Sequence, residues 1–371
     1  MTLIFDDTIT GHHLEYLSYY HSMAERKREE HFMFLLPKEF EKAKDTIKWT
    51  EEPNITVQYL SVHDRERCKK DNVFVAAWNK SMIVARESKK INADRVILTT
   101  LMEFMPFLLF LLLGKCILSG IIYRIYLRDN EMSGVRLWLE KLRFLLMARI
   151  HKKSVFYILN DENSTKRLNC NFNTNKFKYL PDPVPNIDIS SVRSIREKLG
   201  IQDSGYVYLH FGGLTERKGT LEILKAIMIT DEKTLSNKSF VFAGKVYDDI
   251  REEFYNLLEQ AKQRTNILVF DEFCQYDFLY NLCKTCDCIL IPYKMTNLSS
   301  GILGYAALFN KPVIAPEQGL IGDIVRENSL GVTLRDVSAS GISAAFNIYP
   351  ESIINNYVTE NSVDNFINTL A

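Results

Sequence analysis

The most specific signal for the fold is the stretch from Tyr206 to Gly219, which reads Tyr-Val-Tyr-Leu-His-Phe-Gly-Gly-Leu-Thr-Glu-Arg-Lys-Gly. Its β-rich apolar run ends at Gly212 and Gly213, the basic pair Arg217 and Lys218 follows, and a helical pattern comes next. Glycine lets the backbone approach a ligand closely. A helix start offers unpaired N–H groups, and Arg and Lys add charge-assisted hydrogen bonds. The pattern therefore predicts an anion site at the end of a strand.

This loop is too weak to hold a diphosphate alone. A helix terminus contributes ~0.3–1 kcal/mol and a hydrogen bond to a charged group roughly 1.5–3 kcal/mol, whereas micromolar binding needs about 8 kcal/mol. A second loop supplies the partner, because Ser299, Ser300 and Gly301 precede the helical run that ends near Phe309. Two such loops in one parallel sheet suit a pyrophosphate, and two ordinary capped turns are the alternative.

The order of the apolar runs predicts an α/β architecture. Runs typical of buried strands, such as His31–Leu36 and Arg95–Thr100, alternate with helical patterns, which indicates parallel sheets. A proline-rich connector, Leu180–Pro185, divides the chain. We therefore expect an N-terminal domain over 1–180, a C-terminal domain over 181–350, and a tail over 351–371 that returns to the first domain.

The N-terminal half repeats the strand, loop and helix pattern. A short apolar run over residues 2–5 is followed by a polar loop with Gly11, His12 and His13, and a helical pattern runs from Leu14 to about Arg28. Ligands of parallel sheets collect at such helix starts. The two imidazoles are therefore candidate site residues, and solvated or internally satisfied histidines are the alternative.

Two further polar residues lie near strand ends. Glu103 follows the apolar run Arg95–Thr100, at a position that is often functional in parallel sheets. The alternating stretch Ile121–Arg128 predicts a strand that places Arg124 near its end.

Composition excludes several classes of protein. Formal net charge is zero over 371 residues, which argues against a nucleic-acid binder. The N-terminus lacks a basic region followed by an apolar one, so the cytoplasm is the expected compartment. Cys283, Cys286 and Cys288 lack the second pair that a zinc site requires and fit the packed end of a helix.

One region combines apolar and basic residues. The run Phe104–Leu113 is about half of a bilayer span, which favours a buried or interface-lying helix. Val135–Lys153 is amphipathic and basic. One interpretation is a core-facing helix with a solvated face, and the other is peripheral contact with the inner face of a membrane that carries a lipid-linked substrate.

The motifs resemble a known family when they are taken together. Gly212-Gly213, Arg217-Lys218-Gly219, Phe242-Ala243-Gly244 and the run from Gly301 to Asn310-Lys-Pro-Val-Ile-Ala315 have the order and spacing of GT-B glycosyltransferases of the family 4, glycogen-synthase-like group. The match is strongest over about residues 200–335. The resemblance implies a GT-B fold with two Rossmann-like domains that face each other across a cleft.

The resemblance also implies an activity. Members transfer a sugar, here of hexosyl type, from a nucleotide-diphosphate sugar to a glycan or lipid-linked acceptor, with retention of configuration and without a metal or other cofactor. Such chemistry is typical of surface polysaccharide or glycolipid synthesis. The C-terminal domain binds the donor and the N-terminal domain binds the acceptor. The sequence leaves the oligomeric state open.

The resemblance, together with positions near strand ends, implies a role for each candidate residue. Arg217 and Lys218 would neutralise the leaving diphosphate, and His12 or His13 would contact the acceptor or the transferred sugar. The remaining candidates are donor-binding Gly212, Gly213, Phe273, Cys274, Asn297, Ser299, Ser300, Gly301 and Tyr305, and acceptor-binding Gly11, Glu103 and Arg124.

The chain departs from the family pattern at two positions. The family has two glutamates before its Lys-Pro-Val strand, and Asn297 and Tyr305 stand in their places. Tyrosine cannot accept two hydrogen bonds from a ribose as a carboxylate does. The departure supports an alternative, a GT-B subunit that binds a sugar nucleotide or a partner without catalysis. A sugar-nucleotide epimerase is the third hypothesis, but it would need a carboxylate acid–base pair.

Overall fold

The computed structural model describes residues 1–10, 12–112, 116–150, 153–353 and 355–370, without the side chain of His12. The chain divides into two compact units. The first comprises Met1–Pro181 and Val363–Ala371, and the second comprises Asp182–Ser362. The return to the first unit therefore begins at Val363, whereas residues 351–362 of the expected tail belong to the second unit.

The first unit contains a parallel sheet. Among its described residues the strands are β1 (Thr2–Phe5), β2 (Phe32–Leu36), β3 (Ile55–Tyr59), β4 (Arg95–Leu98), β5 (Ile117–Ile122), β6 (Val155–Leu159) and β7 (Phe177–Leu180). Its helices are α1 (His12–Arg26), α2 (Phe40–Ala43), α3 (Val62–Cys68), α4 (Val73–Lys90), α5 (Phe107–Leu111), α6 (Gly134–Ile150) and α7 (Glu162–Asn171). The strand order is β3-β2-β1-β4-β5-β6-β7, so the order reverses between β1 and β4.

The second unit repeats this arrangement. Its described strands are β8 (Tyr206–Phe211), β9 (Lys238–Ala243), β10 (Asn266–Phe270), β11 (Cys288–Leu290), β12 (Val313–Pro316) and β13 (Gly331–Leu334). Its helices are α8 (Thr220–Ile229), α9 (Glu232–Leu235), α10 (Arg251–Ala261), α11 (Tyr276–Thr285), α12 (Ile302–Leu308), α13 (Gly319–Glu327), α14 (Ala339–Ala345) and α15 (Tyr357–Glu360). The strand order is β10-β9-β8-β11-β12-β13, with the reversal between β8 and β11.

The last helix, α16 (Val363–Leu370), packs on α1 of the first unit. Apolar side chains line both faces of each sheet, as expected for parallel strands that are covered by helices on both sides. No helix in the described part of the chain is long and apolar enough to cross a membrane.

The prediction of a strand over Ile121–Arg128 is wrong. The strand is β5, which begins at Ile117 and ends at Ile122, and a 3-10 turn occupies Tyr126–Arg128. The small residues Ser119 and Gly120 weaken the strand pattern in the sequence, but they are fully part of the sheet because β5 pairs with β4 on one side and β6 on the other. Arg124 consequently lies in the loop after the strand.

The apolar run after Glu103 forms only a short helix in the described residues. It begins at Phe107, after a cis peptide bond between Met105 and Pro106, and ends at Leu111. Leu108 and Leu109 are buried against the sheet, whereas Phe110 is exposed. Residues 113–115 of the predicted run lie outside the described residues.

Candidate functional site

The predicted anion loop lies where the strand order of the second sheet reverses. β8 and β11 are neighbours there, and in open parallel sheets ligands bind in the crevice at this point. Gly212 and Gly213 follow β8 directly, and a 3-10 turn over Glu216–Lys218 leads into α8. The segment after β11 runs to α12 and contains the second predicted loop.

Close backbone contacts join these two loops. Gly219 has a φ of +71°, and a Cβ atom there would lie 2.1 Å from the carbonyl oxygen of Pro292. The N–H of Lys294 donates to the carbonyl of Arg217 at 2.9 Å. The Lys294 side chain also forms ion pairs with Glu216 and, at 3.0 Å, with Glu222. The 3-10 turn is therefore fixed against the segment that follows β11.

Two cations of this turn face a shared aromatic ring. Lys218 Nζ lies 5.4 Å from the centre of the Tyr293 ring, and Arg217 Cζ lies 5.9 Å from it. Neither cation forms an ion pair or a hydrogen bond with any residue that the structure describes. A Cβ atom on Gly212 would lie 2.6 Å from Lys218 Nζ, so the missing side chain makes room for the ammonium group. Both charges remain available to an anion.

The second loop is close to this pair. The Ser300 hydroxyl lies 3.5 Å from the Tyr293 hydroxyl, whereas the Ser299 hydroxyl donates to the Asp182 carboxylate at 2.8 Å. The backbone N–H groups of Ser300 and Gly301 donate to no residue in the described ranges. The loop thus offers N–H groups, while one of its predicted hydroxyls already has a partner.

The two departures from the family pattern have different surroundings. Tyr305 packs edge-on to Phe211, with ring centres 5.6 Å apart, and stacks on Tyr280 at 5.9 Å. Asn297 Oδ1 is buried, and no described residue donates a hydrogen bond to it. Tyr305 therefore belongs to an aromatic cluster, whereas Asn297 has an unused acceptor near the predicted phosphate loops.

Phe273 and Cys274 follow β10, two strands from β8. The Phe273 side chain is 73% exposed, and Cys274 is buried. Because β10 is two strands from β8, the sheet places these two residues apart from Arg217 and Lys218.

A second polar cluster lies where the strand order of the first sheet reverses. His13 is in the first turn of α1, and its Nδ1 is 2.8 Å from the buried carboxylate of Asp6, which follows β1. Glu103 lies beyond β4 in a 3-10 turn and forms an ion pair with Lys80 at 2.6 Å. Lys80 also pairs with Asp7 at 3.0 Å. Asp6, Asp7 and Lys80 were not predicted from the sequence.

The carboxylates of this cluster favour the protonated, cationic forms of His13 and Lys80. Burial alone lowers the pKa of His13, but the hydrogen bond and charge of Asp6, with smaller contributions from Glu103 and Asp7, raise it. Burial likewise lowers the pKa of Lys80, and the charges of Asp7 and Glu103 outweigh it, so that the pKa is raised. Lys80 therefore remains charged between two carboxylates.

The structure describes only part of the other residues that are predicted to bind the acceptor. Arg124 forms an ion pair with Asp129 in the loop after β5. Gly11 lies outside the described residues, and His12 begins α1.

His210, a residue of strand β8, is fully buried between the Leu290 carbonyl and the Thr220 hydroxyl. Burial lowers the pKa of His210 to about 4, so it is a neutral structural residue.

Comparison with known proteins shows the fold. No protein-family model matches the chain, and no curated protein matches its sequence. HepE from Anabaena in complex with UDP and glucose is similar over 100% of this chain and 97% of its own, with 15% identity and a TM-score of 0.68. WaaG, a glycosyltransferase involved in lipopolysaccharide biosynthesis, is similar over 99% and 94%, with 15% identity and a TM-score of 0.66.

A UDP-forming alpha,alpha-trehalose-phosphate synthase from Burkholderia vietnamiensis is also similar. It matches over 100% of this chain and 98% of its own, with 10% identity and a TM-score of 0.69. The predicted GT-B fold, with two Rossmann-like parallel-sheet domains, is thereby confirmed.

Proposed function

We propose that the protein is a retaining, metal-independent glycosyltransferase of the family 4 group. It moves a hexosyl group from a nucleotide-diphosphate sugar to a glycan or lipid-linked acceptor, in surface polysaccharide or glycolipid synthesis. The second unit binds the donor and the first unit binds the acceptor. The proposal is supported by two similar solved structures: HepE was solved in complex with UDP and glucose, and WaaG is a glycosyltransferase involved in lipopolysaccharide biosynthesis.

The observation that carries the proposal is the pair of unpaired cations. Arg217 and Lys218 lie at the point of the second sheet where ligands bind, and no described residue neutralises them. The N–H groups of Ser300 and Gly301 lie on the neighbouring loop. Together these groups supply the two-sided clamp that a diphosphate needs.

The chemistry follows from where charge develops. The bond between the anomeric carbon and the donor phosphate breaks with its electron pair on the diphosphate, while the acceptor oxygen forms the new bond to that carbon and its proton passes to the departing phosphate oxygen. Negative charge on the leaving group therefore grows towards the transition state. Fixed donors at Arg217 and Lys218 stabilise that state more than the ground state, which lowers the barrier.

The experiment that tests the proposal is a donor panel. Purified protein is incubated with UDP-, GDP- and dTDP-sugars, and nucleotide release is measured with and without candidate glycan acceptors and with and without a metal chelator. We expect acceptor-dependent release for one donor, unaffected by the chelator. The anomeric configuration of the product, read by NMR against that of the donor, tests retention.

Variants test the clamp directly. Arg217→Ala and Lys218→Ala should each lower turnover about 10²- to 10³-fold, the usual cost of losing one preorganised donor. Arg335→Ala is the matched control, since its side chain is 92% exposed on the same unit. Wild-type turnover in either clamp variant, with an unchanged melting temperature, would contradict the assignment.

A non-catalytic binding subunit is the second candidate. It is favoured by Tyr305, whose ring is engaged by Phe211 and Tyr280 where the family has a carboxylate. This function would be supported if a sugar nucleotide raised the melting temperature of the protein while no acceptor gave nucleotide release or sugar transfer. An epimerase would instead convert the sugar nucleotide without any acceptor.

A further inference from the structure

Helix α6 is apolar on both of its sides. Phe144, Met147 and Ala148 follow the i, i+3, i+4 spacing of one helix face and are buried against the sheet. Val135, Trp138 and Leu139 follow the same spacing on the opposite face and are 74%, 61% and 44% exposed. A surface helix of a globular domain normally presents polar residues there. The predicted solvated face of this helix is therefore apolar, and Leu145 extends it by a further turn.

The exposed apolar surface continues onto two neighbouring helices. Phe74, Trp78 and Met82 are exposed along α4, and Phe110 is exposed on α5. The rings of Trp78 and Phe107 are in edge contact, with centres 5.5 Å apart. Helices α4, α5 and α6 all pack on the same face of the first sheet, and α5 contacts both of the others. We call the exposed residues of these three helices the three-helix surface.

The composition of the three-helix surface distinguishes it from scattered exposed residues. Two of the three tryptophans in the chain lie on it, whereas Trp49 packs against Phe34 and Phe40. Tryptophan and phenylalanine are the side chains that anchor proteins at the boundary between lipid headgroups and acyl chains. Large contiguous apolar patches mark a protein or membrane partner.

Positive charge borders the apolar residues of α6. Arg136, Lys141 and Arg149 are exposed, and the single acidic residue of the helix, Glu140, forms an ion pair with Arg143. The helix is thus basic in a chain whose formal net charge is zero. Anionic lipid headgroups complement such a border.

We propose that the three-helix surface binds the interface of a membrane that contains anionic lipids. The aromatic and aliphatic side chains of α4, α5 and α6 enter the headgroup region, and the basic residues of α6 contact the phosphates. A second copy of the chain fits less well, because a symmetric contact would bring the two basic borders together. This inference goes beyond the proposed sugar transfer and does not depend on it.

Vesicle flotation tests the proposal without any nucleotide sugar. The full chain is mixed with vesicles of phosphatidylcholine alone or with vesicles that also contain about one-third phosphatidylglycerol. Each basic residue near an anionic membrane surface strengthens binding about fivefold. We expect flotation with the anionic vesicles, weakened by high salt, and a blue shift of tryptophan emission on binding.

Variants separate the two parts of the surface. Trp138→Ser and Trp78→Ser lie on different helices, and each should weaken vesicle binding about tenfold, because each removes one large apolar side chain from the interface. Ile229→Ser is the matched control, since Ile229 is 60% exposed on the second unit. Lys141→Gln with Arg149→Gln should remove most of the preference for anionic vesicles. Melting temperatures verify that each variant is folded.

Two results would overturn the proposal. One is a wild-type chain that stays with the unbound fraction for both vesicle types. The other is a dimer in size-exclusion chromatography with light scattering that Trp138→Ser converts to monomer, which would assign the surface to self-association. Either result leaves nucleotide release in the donor panel unaffected, so it can be told apart from a failure of the proposed transferase function.

Discussion

At the scale of single residues, Asp6 controls the protonation of His13. The Asp6 carboxylate is fully buried, accepts a hydrogen bond from the Thr8 N–H at 2.9 Å, and lies 2.8 Å from His13 Nδ1. Its position is thereby fixed, and it holds the imidazole in one orientation. Because Asp7 and Glu103 add negative charge nearby, the imidazolium form is favoured although most of the ring is buried.

Asp6→Asn should lower the pKa of His13. The raised pKa means that the pair stabilises the fold fully below about pH 6.5, the ordinary histidine value, and that this stabilisation is lost as pH rises through the raised pKa. NMR titration of the imidazole signals measures the change, and His13→Gln identifies the signal among the seven histidines. An unchanged His13 pKa in Asp6→Asn would contradict this account of the pair.

The same cluster shows how much of a site the sequence reveals. The sequence indicates Glu103 because it lies shortly after the apolar run of a buried strand, and this position is visible in the order of residues. Lys80 lies inside a helix, where a lysine ordinarily indicates a solvated face. Its burial between Asp7 and Glu103 arises from the packing of α4 beside the ends of β1 and β4, which no local pattern encodes.

At the scale of elements, the turn between β8 and α8 depends on Gly219. Its φ of +71° belongs to the left-handed region, and its Cα is so close to the Pro292 carbonyl that a Cβ would overlap that oxygen. Any side chain would push the 3-10 turn away from the segment after β11. Arg217 and Lys218 would move with it.

Gly219→Ala should therefore abolish donor binding and lower stability by more than the ~1–2 kcal/mol that the left-handed conformation costs an L-residue. Gly200→Ala is the matched control, because Gly200 has a φ of +65° and open space around its Cβ position. Urea unfolding and nucleotide-induced shifts in melting temperature give the two readouts. Equal effects of the two substitutions would show that the contact with Pro292 is unimportant.

Helices and strands could be predicted from the sequence only where their own residues form a strong pattern. Strand β8 ends where the sequence predicts, because its apolar run stops at two glycines, and the predicted helical pattern after the basic pair forms α8. Strand β13 and helix α7 were not predicted. The first is a short edge strand that begins at a glycine, and the second is almost entirely polar. Both are stabilised by neighbouring elements rather than by their own patterns.

At the scale of the whole molecule, the two units are linked twice by the chain. The polypeptide passes from the first unit to the second at Pro181 and returns at Val363. The returning helix α16 places Phe366 in edge contact with Tyr16, Tyr19 and Tyr20 of α1. The last helix of the chain therefore completes the core of the first domain.

Phe366→Ala should destabilise the first unit by about 3–5 kcal/mol, since Phe366 is fully buried and its removal leaves a cavity. Phe346→Ala is the matched control, because Phe346 is equally buried in the second unit, between Tyr208 and Phe240. Hydrogen exchange distinguishes the two: the first variant should speed exchange in α1 and spare β8, and the second should do the reverse. Faster exchange in both units from either substitution would show that they unfold as one cooperative body. In that case α16 would couple the domains rather than complete only one of them.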